Sequence, residues 1–342
     1  MVNRSEPEQF VLPGLGVLAV IGLAARTVTA VVPVSHLIVA IFIGVIIGNI
    51  YGVPRWALAG VGTNKLLLEA GIVIMGANVA LGRVIAAGPK ILILVTATVV
   101  TTIVSVEVLA RGTGIRNKVG SLLAAGSGIC GVSAVVATAG SIEADEKQIA
   151  YAAATVLLFD ALTLIIYPAI GHILGLSDTI FGIWAGLTMF STGPVAAAGF
   201  AFSNTAGKWA LLVKLTRNAL IGVAAIGYAL YYFHESKNAT KQAAYGGWSR
   251  LWNSFPKFVL GFLAVMLVAN AGILSPEHRS SLKHASDWLF LFAFSGLGLE
   301  IRFDELRSTG LKPVLVVLIS LIGVSSLCLF VLMTIFDPTS LS

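Results

Sequence analysis

Lys214-Leu215-Thr216-Arg217-Asn218 places two cations inside an otherwise apolar run from about Lys208 to Phe233, long enough as a helix to cross a bilayer. Lys214 and Arg217 are three residues apart, so a helix puts them on one face about a turn from each other, where they repel. Each such charge costs about 2.5–3.5 kcal/mol at a bilayer centre, so the pair needs compensation of roughly 5–7 kcal/mol. A buried carboxylate, a set of backbone carbonyls, or an anion that comes and goes would each supply it. Two structural alternatives stand beside the third option: Lys214 snorkelling to the interface, and Arg217 paired with Asp160.

The surrounding composition defines the solvent. Hydrophobic residues make up 57% of the 342 and charged residues 11%, with a mean hydropathy of +0.93, against about a quarter charged in soluble proteins. The expected class is therefore an all-α polytopic membrane protein. Its apolar runs have helix-spanning length, whereas a membrane barrel would alternate over segments of about ten residues. The net charge of +6 is spread singly between apolar runs, so no basic stripe marks a nucleic-acid partner. Cys130 and Cys328 each fall in an apolar run, which predicts free thiols. The first apolar run lacks a cleavage site and is expected as a retained helix.

Taken in order, the chain predicts about eleven transmembrane helices: 10–26, 35–50, 64–83, 90–110, 118–140, 147–171, 179–203, 208–233, 256–274, 285–302 and 311–336. All of 1–342 is expected as one integral membrane domain. With the N-terminus cytoplasmic, thirteen of the basic residues outside Lys214 and Arg217 fall inside and seven outside, which favours that orientation. The segment 234–255, with Lys237, Lys241, Arg250 and Gly246-Gly247, is expected as a cytoplasmic connection between halves, its Trp248 and Trp252 at headgroup level. Gly76-Ala77-Asn78-Val79 through Lys90 resembles Gly298-Leu299-Glu300-Ile301 through Lys312. The two stretches lie seven spans apart, a pattern expected of inverted repeats.

Two spans read as interrupted. The fifth contains Gly126-Ser127-Gly128-Ile129-Cys130-Gly131-Val132-Ser133, and the seventh Ser191-Thr192-Gly193-Pro194. Glycine weakens a helix and proline removes a donor, and non-helical backbone at membrane depth survives only against protein or a wet cavity. A restarted helix offers free N–H groups and a dipole that favours an anion. Pro194 suits its first turn, with Thr192 or Gly193 as cap. Ser127, Ser133, Ser191 and Thr192 would add hydroxyls, and the competing reading is close helix packing through small residues. Gly126–Gly131 also matches G-x-G-x-x-G, but no strand of a soluble sheet precedes it, so no dinucleotide is expected.

Asp160 is the most central isolated carboxylate. It is read either as an ion-pair partner of Lys214 or Arg217, or as a group that protonates reversibly during transport. Glu69 and Glu300 lie nearer helix ends. The five histidines show no metal-ligand spacing, and no P-loop or G-x-S-x-G occurs, so neither an enzyme nor a cofactor or metal is expected.

These residues resemble a known family, the sulfate exporters (YeiH-like membrane proteins). The resemblance rests on Gly128-Ile-Cys-Gly-Val-Ser-Ala134, Ala144-Asp145-Glu146, Trp184-Ala-Gly186, Val195-Ala-Ala-Ala-Gly199, Val213-Lys-Leu-Thr-Arg-Asn218, Phe258-Val-Leu-Gly-Phe262 and Gly296-Leu-Gly-Leu299. It implies an inverted-repeat transporter of the sodium–proton antiporter and bile-acid symporter type, in a bacterial or archaeal inner membrane, exporting sulfate, sulfite or a related oxyanion. The chain departs from the family pattern where members often carry His-Asp-Thr-Ser-Gln, having Phe190-Ser191-Thr192-Gly193-Pro194 instead, and it carries Asp160 and Glu69 where no acid is expected.

The resulting expectation is a secondary transporter of a small inorganic anion. Its substrate site would draw on Ser127, Gly128, Cys130, Gly131, Ser133, Ser191, Thr192, Gly193, Lys214, Arg217 and Asn218, with Asp160 in a coupling role. Membrane lipid is the expected surrounding, a proton or sodium the coupling ion, and a homodimer an open option. The rivals are a cation–proton antiporter built on Asp160 and a membrane receptor that binds without transport.

Overall fold

A computed structural model describes residues 11–31, 35–79, 81–235, 257–302 and 310–335. These residues form helices and turns, with no strand among them. The helices are α1 (Val11–Thr29), α2 (His36–Ile50), α3 (Leu58–Val61), α4 (Asn64–Met75), α5 (Leu81–Gly112), α6 (Asn117–Ala125), α7 (Val132–Ile142), α8 (Glu146–Ile173), α9 (Asp178–Thr188), α10 (Thr192–Phe202), α11 (Asn204–Asn218), α12 (Ile221–Glu235), α13 (Phe258–Asn270), α14 (Pro276–Glu300) and α15 (Leu311–Ile335). A 3-10 turn, Gly76–Asn78, follows α4, and a π-helical turn, Gly126–Cys130, follows α6.

Among the described residues, six helical stretches are long and apolar enough to cross a membrane: Val11–Thr29, Leu58–Asn78, Gly88–Gly112, Glu146–Ile173, Asn204–Tyr232 and Leu311–Thr334. Four shorter apolar helices, α2, α7, α10 and α13, add to them. Large apolar side chains on these helices face outward, such as Ile93, Val108, Ile322 and Phe330, as lipid contact requires.

The boundaries differ from the sequence reading at two places. The run expected as one helix over 208–233 is two, α11 and α12, separated by a turn at Ala219-Leu220. The helix expected from residue 90 begins at Leu81 and runs through Pro89. Gly88-Pro89 therefore lies inside a helix, whereas Gly310 precedes α15. The similarity between the two Gly-bounded stretches does not extend to where the following helix starts. The connection 234–255, after its first two residues, lies outside the described residues.

The chain divides into two compact units, 1–87 with 200–202 and 257–303, and 88–199 with 203–256 and 304–342. In the first, Leu18, Ile21, Ala57, Val61 and Leu299 form a core. There α2 lies on α14 through glycines: a Cβ at Gly44 would stand 2.6 Å from the Ser295 carbonyl oxygen, and one at Gly48 2.7 Å from that of Leu299. Such contact of backbones is how membrane helices gain packing energy. Ser286 Oγ donates to the Gly71 carbonyl at 2.8 Å, tying α14 to α4.

In the second unit α9 lies against α11, and a Cβ at Gly186 would stand 2.6 Å from the Ala210 carbonyl oxygen. Side-chain caps fix where its helices begin. Asp145 and Gln148 form a reciprocal capping box at the start of α8, which satisfies two orphan donors. Ser177 caps α9 and Ser203 caps α11.

Candidate functional site

The fifth expected span is interrupted at Gly131, whose φ of +72° and ψ of −139° suit glycine alone. The seventh is interrupted by extended backbone at Met189 and Ser191. The two breaks touch, because a Cβ on Gly131 would collide with Ser191 Oγ. Four half-helices therefore end in one small region of the second unit. Two of them, the π turn after α6 and α9, finish there with carbonyls; two, α7 and α10, begin there with N–H groups.

Helix α11 carries both cations to the carbonyl ends. Lys214 Nζ donates to the Ile129 carbonyl at 2.7 Å, to that of Met189 at 3.1 Å and to that of Phe190. An ammonium has three donors, and three carbonyls receive them. Arg217 donates through Nε to Gly128 O at 2.7 Å, and through Nη1 to Leu187 O at 2.7 Å and Met189 O at 2.8 Å. Its Nη2 donates to Ser127 O. Both side chains are 0% exposed. The cations thus meet the negative ends of two helix dipoles and satisfy carbonyls that interruption leaves without helical partners.

Asp160, on α8 and 3% exposed, serves the opposite end. Its Oδ1 accepts the Ser191 N–H at 2.9 Å, at the N-cap of α10. Its Oδ2 has no hydrogen-bond partner. Asn218 Nδ2 donates to Thr192 Oγ1 at 3.1 Å, and Asn218 Oδ1 has no partner. Among the described residues, Asp160, Lys214 and Arg217 are the only fully buried charged side chains. Their formal sum is one positive charge.

The other expected site residues divide by position. Gly131, Ser191, Thr192 and Gly193 stand at the junction, the last three half-buried. Ser133, in the first turn of α7, is exposed. Cys130 is buried at the end of the π turn and forms no disulfide. Gly128 packs on Ile103, with only 2.8 Å available to a Cβ, and contributes its carbonyl. Ser127 Oγ turns back to the Leu123 carbonyl at 2.6 Å and lines a separate cavity. The cap of α10 is Ser191 and not Thr192 or Gly193, and Pro194 takes the third helical position, still within the first turn that tolerates proline.

The sequence reading offered a set of backbone carbonyls as one compensation for the cations, but it could not point to those of Leu187, Met189 and Phe190, since a carbonyl has no residue signature. It also passed over Glu107, a carboxylate within α5 that accepts from Ser121 Oγ at 2.6 Å. Its isolation in an apolar run was the available signal. No group of three or more His, Cys, Asp or Glu that could hold a metal occurs among the described residues.

Comparison with known proteins places the chain in a family. The family model described as conserved hypothetical protein 698 matches residues 11–317. The chain belongs to that family. A relative from Nitratidesulfovibrio vulgaris, named UPF0324 membrane protein, is 32% identical over 312 residues, covering 88% of this chain and 87% of its own. A Bacillus cereus protein of the same name is 32% identical over 324 residues, covering 93% and 92%. One from Listeria monocytogenes is 31% identical, covering 85% of each. No solved structure matches. As a member of the conserved hypothetical protein 698 family, whose relatives are named membrane proteins, the chain is a membrane protein, in keeping with its apolar helices.

Proposed function

We propose that the protein is a secondary transporter of a small oxyanion, working by alternating access. The observation that carries this reading is the buried excess of one positive charge where two interrupted helices meet. Burying an unbalanced charge in an apolar protein is costly. A mobile anion offsets it whenever the site is loaded.

The positions of the donors support a division of roles. Lys214 and Arg217 spend their hydrogen bonds on carbonyls, so they supply field and hold the crossing rather than coordinate cargo. The anion binds at the first turns of α7 and α10, to N–H groups of Val132, Ser133, Thr192 and Gly193 and to the hydroxyls of Ser133, Ser191 and Thr192. Helix N-termini are suited to this, and half-helix N-termini facing anionic substrate groups recur in transporters. The resemblance to sulfate exporters makes sulfate and sulfite the first candidates, with export the direction.

Counterflow in proteoliposomes is the test. Vesicles loaded with unlabelled sulfate or sulfite should accumulate the labelled anion, and Arg217→Gln should abolish accumulation. Saturable binding without exchange would instead identify a receptor.

A second reading rests on Asp160 Oδ2, a buried carboxylate oxygen without a partner. It favours proton or sodium coupling at Asp160, either beside the anion or as cation–proton antiport. Flux driven by sodium or pH with no oxyanion present, and lost in Asp160→Asn, would favour antiport.

A further inference from the structure

A small cavity in the second unit is lined by five hydroxyls: Thr102 from α5, Ser127 from the π turn, Thr188 from α9, and Ser320 and Ser325 from α15. None of them contributes to the anion site proposed above. The centre of a water-sized sphere has about 10 Å³ to occupy there, which is room for one water. Ser320 Oγ is independent evidence of unmet demand, because the residue is 3% exposed and its hydroxyl has no hydrogen-bond partner.

We infer that this cavity is a binding site for a single ordered water, held by Ser320 Oγ and bridging α15 to α5 and the interrupted helices. The direction of the neighbouring hydrogen bonds selects the ligand. Thr102 Oγ1 donates to Thr98 O at 2.7 Å, Ser127 Oγ to Leu123 O at 2.6 Å, and Thr188 Oγ1 to Trp184 O at 2.7 Å. Those three hydroxyls have spent their protons and offer the cavity lone pairs only. Ser325 Oγ already accepts from Trp184 Nε1 at 3.0 Å and lies 2.9 Å from Tyr167 OH.

An anion would find too few donors in such a lining. A cation would meet the field of Arg217, whose guanidinium bonds the Ser127 carbonyl. Water brings two donors and two acceptors. It can give its protons to spent hydroxyls and accept from Ser320, and buried waters of this kind make about three hydrogen bonds.

Two measurements on the full chain in detergent decide the matter. A density map of the wild type fine enough to show ordered water should carry a peak within hydrogen-bond distance of Ser320 Oγ; an empty cavity overturns the inference. Thermal unfolding of Ser320→Ala gives the second readout. If the hydroxyl holds a water, its loss lowers the melting temperature by about 1–3 °C. An unchanged or raised melting temperature means that the deleted hydroxyl was unsatisfied in a dry cavity, and contradicts the site.

Discussion

Lys214 and Arg217 hold the interrupted helices through carbonyls, and the two side chains do so in different ways. An ammonium is a point charge with three donors, whereas a guanidinium spreads its donors over a planar fork. Arg217 reaches Gly128, Leu187, Met189 and Ser127 together, which no single ammonium spans. Arg217→Lys, although it keeps the charge, should therefore lose at least about 2 kcal/mol of stability, read as a lower melting temperature in detergent. Lys214→Met would leave the carbonyls of Ile129 and Phe190 without the ammonium, while Met189 keeps its bond from Arg217 Nη1. At about 1–3 kcal/mol for each unsatisfied buried group, less the desolvation cost of the lysine itself, the net loss should be about 1–3 kcal/mol by the same assay. Gly131→Ala should be comparably damaging, since its positive φ strains an L-residue and its Cβ meets Ser191 Oγ. At this scale the sequence was legible where chemistry is unusual: two cations in an apolar run and one isolated aspartate. It was illegible where main chain does the work, and it could not separate Ser127, which faces the hydroxyl cavity, from Ser133, which stands exposed at the start of α7.

At the scale of elements, glycine and proline marked both helix breaks, because a positive-φ Gly131 and a first-turn Pro194 are demands that few other residues meet. The turn between α11 and α12 left no such mark. It falls at Ala219-Leu220, where neither residue breaks a helix, so tertiary context and not propensity ends α11. The opposite error occurred at Gly88-Pro89, which reads as a helix boundary but lies within α5. The α9–α11 contact gives a prediction for the element itself. Gly186→Val should drive a side chain into the Ala210 carbonyl, 2.6 Å from where a Cβ would sit. The helices would have to part, and the variant should fail to yield monodisperse protein on size-exclusion chromatography. The capping box of α8 gives a milder one: Asp145→Ala should cost about 1 kcal/mol and quicken hydrogen exchange in the first turn of α8.

For the whole molecule, composition and the length of the apolar runs sufficed to announce a helical membrane protein, because lipid leaves backbone groups few ways to be satisfied. The division into two compact units leaves no mark in the sequence at α5 and α10, each of which runs from one unit into the other. Thermal unfolding of the purified protein, titrated with sulfate and with sulfite at constant ionic strength, decides the claim that the buried positive excess serves a mobile oxyanion. Binding to the folded state should raise the melting temperature in a saturable way, by the equivalent of about 2.7 kcal/mol at one hundred times the dissociation constant. No shift with either anion, alongside a saturable shift with sodium that Asp160→Asn removes, would contradict the claim.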